Sequence, residues 1–170
     1  MKRSLFYRIA ICGVFSALCF VLTSFCQAPL PLGVGYLNFG DIVTLLIAMT
    51  LGPIEGAIVG IIGGTMGDLF LGYAVYAPFT LLAKALLGGI TGILFYRLRK
   101  HKGIRFISPF IGASAMILAY MLAYAVIEGP MLYLSSAFDC LQGYSMAILS
   151  IPLTLGIEKS GVLARLKNQE

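Results

Sequence analysis

The sequence predicts an all-α membrane protein, a bundle of six transmembrane helices with both termini in the cytoplasm. Three observations predict it. Hydrophobic residues make up 59% of the 170-residue chain and charged residues only 11%, with a mean hydropathy of +0.96. A water-soluble domain carries about a quarter charged residues to dress its surface, so most of this surface is built to face hydrocarbon. The apolar runs are also long and unbroken, as from Leu5 to Phe25 and from Ile107 to Ile127. They lack the period-two alternation of a β-barrel, the other closed architecture that satisfies every backbone group in lipid. Finally, the cations fall in three short stretches that mark one side of a membrane.

The elements follow in order, within one domain over residues 1–170. A first span from Leu5 to Cys26 has neither the short apolar core nor the cleavage site of a secretory signal, and is expected to be retained. Pro29, Pro31, Gly33 and Gly35 then break the chain. The second segment, Leu37 to Leu51, is short for a span; the alternative is a re-entrant hairpin with the third, leaving four crossings. Gly52-Pro53 precedes the third span, Ile54 to Leu71, and Gly72 follows it. Pro78 suits the first turn of the fourth, Pro78 to Tyr96. Ser108-Pro109 reads as an N-cap and first-turn pair for the fifth, Phe106 to Ile127. Gly129-Pro130 separates it from the sixth, Asp139 to Glu158, which Pro152 is expected to kink.

Orientation comes from the twelve Lys and Arg residues. Lys2, Arg3 and Arg8 open the chain; Arg97, Arg99, Lys100, Lys102 and Arg105 occupy the central stretch RLRKHKGIR; Lys159, Arg165 and Lys167 follow the last span. The positive-inside rule puts all three stretches in the cytoplasm, which six crossings satisfy. A formal charge of +5 therefore marks a membrane edge rather than a nucleic-acid surface, because no aromatics interleave the cations for base stacking. Anionic headgroups or a partner protein are the expected neighbours.

The four cysteines suggest neither a disulfide framework nor a metal site. Cys12, Cys19 and Cys26 repeat every seven residues on one helix face, about 10 Å apart, too far to share an ion. Packing is the expected role.

Lys84 alone escapes the basic stretches. A cation inside a span costs about 2.5–3.5 kcal/mol on insertion scales and needs a partner, a cavity or an escape to the interface. Snorkelling outward, an ion pair with Asp68 and a direct ligand contact all remain open. Gly56, Gly60, Gly64 and Asp68 form one stripe at intervals of four, beside Gly63 and Gly67, while the fourth span offers Ala85, Gly88, Gly89 and Gly92. Small residues let helices approach closely in lipid, so the third and fourth spans are expected to touch. Tyr120, Tyr124 and Glu128 line the outer half of the fifth span, Asp139 and Gln142 open the sixth, and Tyr36, Asn38 and Asp41 lie near the first outer loop. Their shared side favours a pocket open to the outside. With Asp41, Asp68, Glu128 and Asp139 against Lys84, that pocket suits a neutral or cationic ligand better than a polyanion.

Enzymatic activity is not expected. The stretch LGVGYLNFG lacks the Lys and Ser/Thr of a phosphate loop, so ATP hydrolysis would reside elsewhere. The single histidine, His101, gives no histidine metal site. Gly40-Asp41 and Gly67-Asp68 lack the further upstream glycine of intramembrane aspartyl proteases.

The run YLNFGDIVTLLIAMTLGPIEGAIVGIIGGTMGDLF, Tyr36 to Phe70, with GYAVYAPFTLLAKALLGGITG, Gly72 to Gly92, resembles the substrate-binding S components of energy-coupling factor (ECF) vitamin transporters, in the group of the pyridoxine-, hydroxymethylpyrimidine- and riboflavin-type components. Length, span count and orientation agree over nearly the whole chain. The resemblance implies a prokaryotic plasma-membrane protein that captures a vitamin near the outer face with high affinity, under a lid formed here by Gly33 to Gly40. It implies a transmembrane T component and two cytoplasmic ATPases as partners, with no cofactor on this chain. Docking in the family uses an AxxxA-like motif on the first helix; the counterpart here is a GxxxA, Gly13 to Ala17. The ligand-binding set expected from residues and resemblance together is Tyr36, Asn38, Asp68, Lys84, Tyr124, Glu128, Asp139 and Gln142. A self-sufficient ion-coupled carrier or channel, with Asp68 and Lys84 relaying protons, is the alternative function.

Overall fold

The computed structural model describes residues 5–29, 36–101, 103–127 and 132–160. They form six helices and one small hairpin: α1 (Leu5–Phe25), β1 (Gln27–Pro29), β2 (Tyr36–Asn38), α2 (Gly40–Thr50), α3 (Pro53–Leu71), α4 (Ala77–Arg97), α5 (Ile104–Ile127) and α6 (Leu132–Lys159). Five helices are long and apolar enough to cross a bilayer, while α2 has only 11 residues. At 1.5 Å per residue α2 reaches about 16 Å, roughly half a hydrocarbon core. The described residues thus form six helices, of which five are of spanning length where six spans were expected.

α2 is apolar because it is enclosed by protein rather than by lipid. Nine of its residues are buried, from Gly40 and Asp41 to Thr50. One side packs with Cys12, Cys19 and Val59 of α1 and α3, and the other with Ala83, Leu87, Ala113 and Met116 of α4 and α5. A helix that is hydrophobic all round belongs in such a centre. The outward faces of the long helices carry exposed Phe6, Val14, Leu118, Leu122 and Val126 instead, the pattern expected against hydrocarbon.

Successive helices run in opposite directions, and their contacts define two ends. At one, Arg8 of α1 meets Glu55 of α3, Tyr96 Oη of α4 donates to the Thr50 carbonyl at 2.8 Å, and Arg105 of α5 meets Glu158 of α6. We refer to this as the basic end. The other is capped by the antiparallel hairpin, which pairs Gln27 with Asn38, Ala28 with Leu37 and Pro29 with Tyr36.

Several boundaries differ from expectation. Leu37 and Asn38 belong to β2, so α2 starts only at Gly40. Pro109 lies inside α5, which begins at Ile104, so Ser108-Pro109 is not the start of that helix. α6 begins at Leu132, seven residues before Asp139, and continues through Pro152. Gly52 and Gly72 do mark turns, with φ of +141° and +86°, values that disfavour a side chain. Gly33, Gly35 and the Gly129-Pro130 pair lie outside the described residues.

The glycine stripe of α3 is a groove for two neighbours. A Cβ on Gly56 would meet Ala48 Cβ of α2 at 2.5 Å, and one on Gly60 would meet Thr44 Cγ2 at 2.7 Å. A Cβ on Gly64 would lie 3.0 Å from Lys84 Cγ, so the lysine stem of α4 lies along this groove. Gly88 of α4 rests against the Gly56 backbone, which confirms that the third and fourth spans touch. Gly63 and Gly67 receive Cys19 and Thr23 of α1.

Candidate functional site

At the hairpin end, short polar and aromatic contacts link α2, α4, α5 and α6. Lys84 and Asp41, each 1% exposed, form an ion pair with Nζ 2.5 Å from Oδ1. Gln142 Nε2 of α6 donates to the other carboxylate oxygen at 2.8 Å. Asp41 also sits in the first turn of α2, where the helix dipole favours an anion. The ammonium further approaches Met116 Sδ at 3.6 Å and lies 5.7 Å from the centroid of the Tyr120 ring. A buried ion pair is tolerable only when its remaining hydrogen-bonding capacity is met. Here both carboxylate oxygens are engaged.

The partner of Lys84 is therefore Asp41 and not Asp68, and its ammonium does not snorkel to the interface. Asp68 instead accepts a short hydrogen bond from Thr80 Oγ1, which in turn accepts from Tyr120 Oη at 3.0 Å. Beside this relay, Tyr124 Oη donates to Asp139 Oδ2 at 2.6 Å. The Tyr124 ring stacks on Tyr120 with centroids 6.2 Å apart and 15° between planes, and meets the edge of Tyr76, whose ring reaches Tyr73. The result is an aromatic row that leads from exposed Tyr73 to buried Tyr120 and Lys84.

The hairpin is fastened above this cluster. Asn38 Oδ1 accepts from Thr23 Oγ1 of α1 at 2.9 Å and from the Gly40 backbone N–H at 2.8 Å. Asn38 thus ties α1, the hairpin and the first turn of α2 together, and Cys19 Sγ adds a contact to the Gly40 carbonyl at 3.4 Å.

Of the residues expected to form the site, Asn38, Asp68, Lys84, Tyr124, Asp139 and Gln142 all occupy this end of the bundle. Tyr36 is placed there by its backbone, opposite Pro29 in the hairpin. Glu128 lies outside the described residues. Asp41 as the lysine's partner, and Thr80, Met116 and Tyr76 as members of the cluster, were not anticipated. Asp41 carried one usable signal, since an Asp after Gly at the start of an apolar helix suits a helix N-terminus. A separate cleft of about 310 Å³ lies at the basic end, lined by Arg8, Leu51, Gly52, Pro53, Ile54, Glu55 and Tyr96. None of these residues belongs to the polar cluster.

The comparison that decides the family covers almost the entire chain. The profile of the ECF-type riboflavin transporter S component matches residues 5–159. The chain belongs to this family. It is therefore an S component, a multi-pass membrane protein of transporter type and a vitamin-binding subunit rather than an enzyme. The fold agrees: a solved structure described as "Structure and mechanism of the S component of a bacterial ECF transporter" superposes with a TM-score of 0.65. That match covers 90% of this S component and 96% of the other chain at 21% identity. A protein of Pyrococcus woesei, described as an uncharacterized protein in a gap 3′ region, is 36% identical over 110 residues, 65% of this chain and 73% of its own length.

Proposed function

We propose that this S component captures a small aromatic heterocycle, of the riboflavin, pyridoxine or hydroxymethylpyrimidine type, at the hairpin end facing the outside of a prokaryotic cell. It delivers that vitamin through an ATP-driven importer formed with a T component and two cytoplasmic ATPases. The observation that carries the reading is the Tyr76–Tyr124–Tyr120 row beside Asp68, Asp139 and the Lys84–Asp41 pair. Aromatic faces suit a planar ring, and a few convergent polar groups suit its hydroxyl and nitrogen substituents. Tyr36, Asn38, Asp68, Lys84, Tyr124, Glu128, Asp139 and Gln142 are the residues assigned to this task. Six passes with cytoplasmic termini follow if α2 and the hairpin together make the second passage.

Docking on the T component is assigned to α1. Gly13 and Ala17 are exposed on it, and a Cβ on Gly13 would meet nothing within 4 Å. This leaves a flat small-residue face on which another helix can pack closely. A carrier relaying protons between Asp68 and Lys84 is the weaker reading, because the two are not paired with each other: Lys84 pairs with Asp41 and Asp68 with Thr80.

Native mass spectrometry of the detergent-purified chain, followed by titration calorimetry with riboflavin, pyridoxine, hydroxymethylpyrimidine and thiamine, tests the ligand. A tightly held heterocycle is the expected result. Uptake into liposomes by the chain alone, without the ATPase module, would replace the S-component mechanism with a carrier.

A further inference from the structure

The cations at the basic end divide into two kinds. Arg8 and Arg105 are neutralised within the protein, by Glu55 at 2.7 Å and Glu158 at 2.9 Å. Arg97, Arg99 and Lys100, at the α4–α5 turn, are exposed and have no acidic partner among the described residues, and the same holds for Lys159 at the end of α6. This turn has a defined backbone: Leu98 N–H donates to Leu94 O, His101 N–H to Leu98 O and Ile104 N–H to His101 O, at 2.9 to 3.1 Å. The Tyr96 hydroxyl anchors its start on α2.

Depth fixes what these cations meet. α4 has 21 residues, about 31 Å, enough to traverse one hydrocarbon thickness, which would bring Arg97 to the boundary. On that placement Arg99 and Lys100 would stand in the headgroup layer. Leu98, Phe106 and Ile107, exposed by 41%, 52% and 53%, flank the turn with apolar surface. Three unneutralised cations above exposed apolar side chains match a phosphodiester above acyl chains, and the guanidinium fork suits the phosphate oxygens.

We propose that the α4–α5 turn is a binding site for an anionic phospholipid, with Arg97, Arg99 and Lys100 on the headgroup phosphate and Phe106 and Ile107 against the chains. The occupant is a membrane lipid, because exposed cations and exposed apolar Leu98, Phe106 and Ile107 occur together at one turn between two helices of spanning length. The site is separate from the vitamin cluster at the other end and does not depend on the ligand's identity.

The test uses the full chain in nanodiscs made from equal amounts of phosphatidylcholine and phosphatidylglycerol, with retained lipid read by native mass spectrometry. Phosphatidylglycerol is expected to be retained preferentially, and the preference is expected to fall as salt is raised. A basic residue at an anionic surface contributes about fivefold in affinity, so Arg99→Gln should lower the preference by about that factor. The combined Arg97→Gln, Arg99→Gln, Lys100→Gln variant should abolish it. Arg8→Gln, which removes a cation already paired with Glu55, should leave it unchanged. Equal loss in Arg8→Gln and Arg99→Gln would reduce the effect to net charge and overturn the site. So would retention of the preference in the triple variant; if that variant also lost uptake in the presence of the ATPase module, the turn would belong to a protein interface.

Discussion

A lysine with 1% exposure persists in a lipid-embedded bundle because its charge is answered on several sides. Asp41, Gln142, Met116 and the Tyr120 ring surround the ammonium or its counter-ion, while the glycines of α3 make room for the stem. Breaking such a pair on one side leaves an uncompensated buried charge, which costs about 3–5 kcal/mol. Lys84→Met is therefore expected to lower thermal stability in detergent sharply, with ligand affinity falling alongside. Lys84→Met combined with Asp41→Leu should recover much of that loss, since a buried pair replaced by apolar groups is often neutral. If the double variant lost as much stability as the two single changes added together, the pair would not be the coupled unit described here. The sequence exposed Lys84 as a residue in need of a partner. It did not reveal which, because Asp41 and Asp68 lie on different helices and only the packing of α2 against α4 brings the first within reach.

Among the elements, α2 and the hairpin depart furthest from expectation, for opposite reasons. α2 is as apolar as a span, and apolarity alone does not distinguish burial in protein from burial in lipid. Its 11 residues were the better guide. The hairpin strands have three residues each and include Pro29, too short and too proline-rich to present a period-two signal. The long helices were legible because nothing else buries so many consecutive apolar residues. The glycines were legible as packing residues, but not their partners: α3 holds α2 as well as α4. Two adjacent positions on α4 test this. A Cβ on Gly88 would lie 2.4 Å from the Gly56 carbonyl carbon, whereas one on Gly89 would meet nothing within 4 Å. Alanine gains up to about 1 kcal/mol in intrinsic helix propensity at either site, yet overpacking typically costs about 1–3 kcal/mol. Thermal denaturation should show Gly88→Ala destabilised and Gly89→Ala unchanged or slightly stabilised. Equal effects would mean that α3 and α4 are not held at the spacing seen here.

The whole molecule separates its tasks along the bundle axis and around it. Polar and aromatic groups gather at the hairpin end, unneutralised cations at the other, and α1 carries the exposed small residues Gly13 and Ala17. Asn38 joins α1 to the hairpin end through Thr23, so the hairpin and the helix proposed for docking share one hydrogen-bonded node. Thr23→Val should loosen that node, costing about 1–3 kcal/mol where it leaves the Asn38 oxygen short of a donor, and should speed ligand dissociation in a displacement assay. Gly13 lies far along α1 from this node, about ten residues or 15 Å at the helical rise. Gly13→Leu should consequently leave ligand affinity and thermal stability at their wild-type values, because its side chain would project into empty space. The same side chain would hold a docking helix away from the α1 backbone, since close small-residue packing tolerates no added bulk. ATP-dependent uptake by the assembled importer is therefore expected to fall severalfold while calorimetric binding to the isolated subunit is preserved. Intact uptake in Gly13→Leu would move the docking face off this part of α1; loss of binding as well would mean that the helix transmits strain to the hairpin end through Thr23 and Asn38.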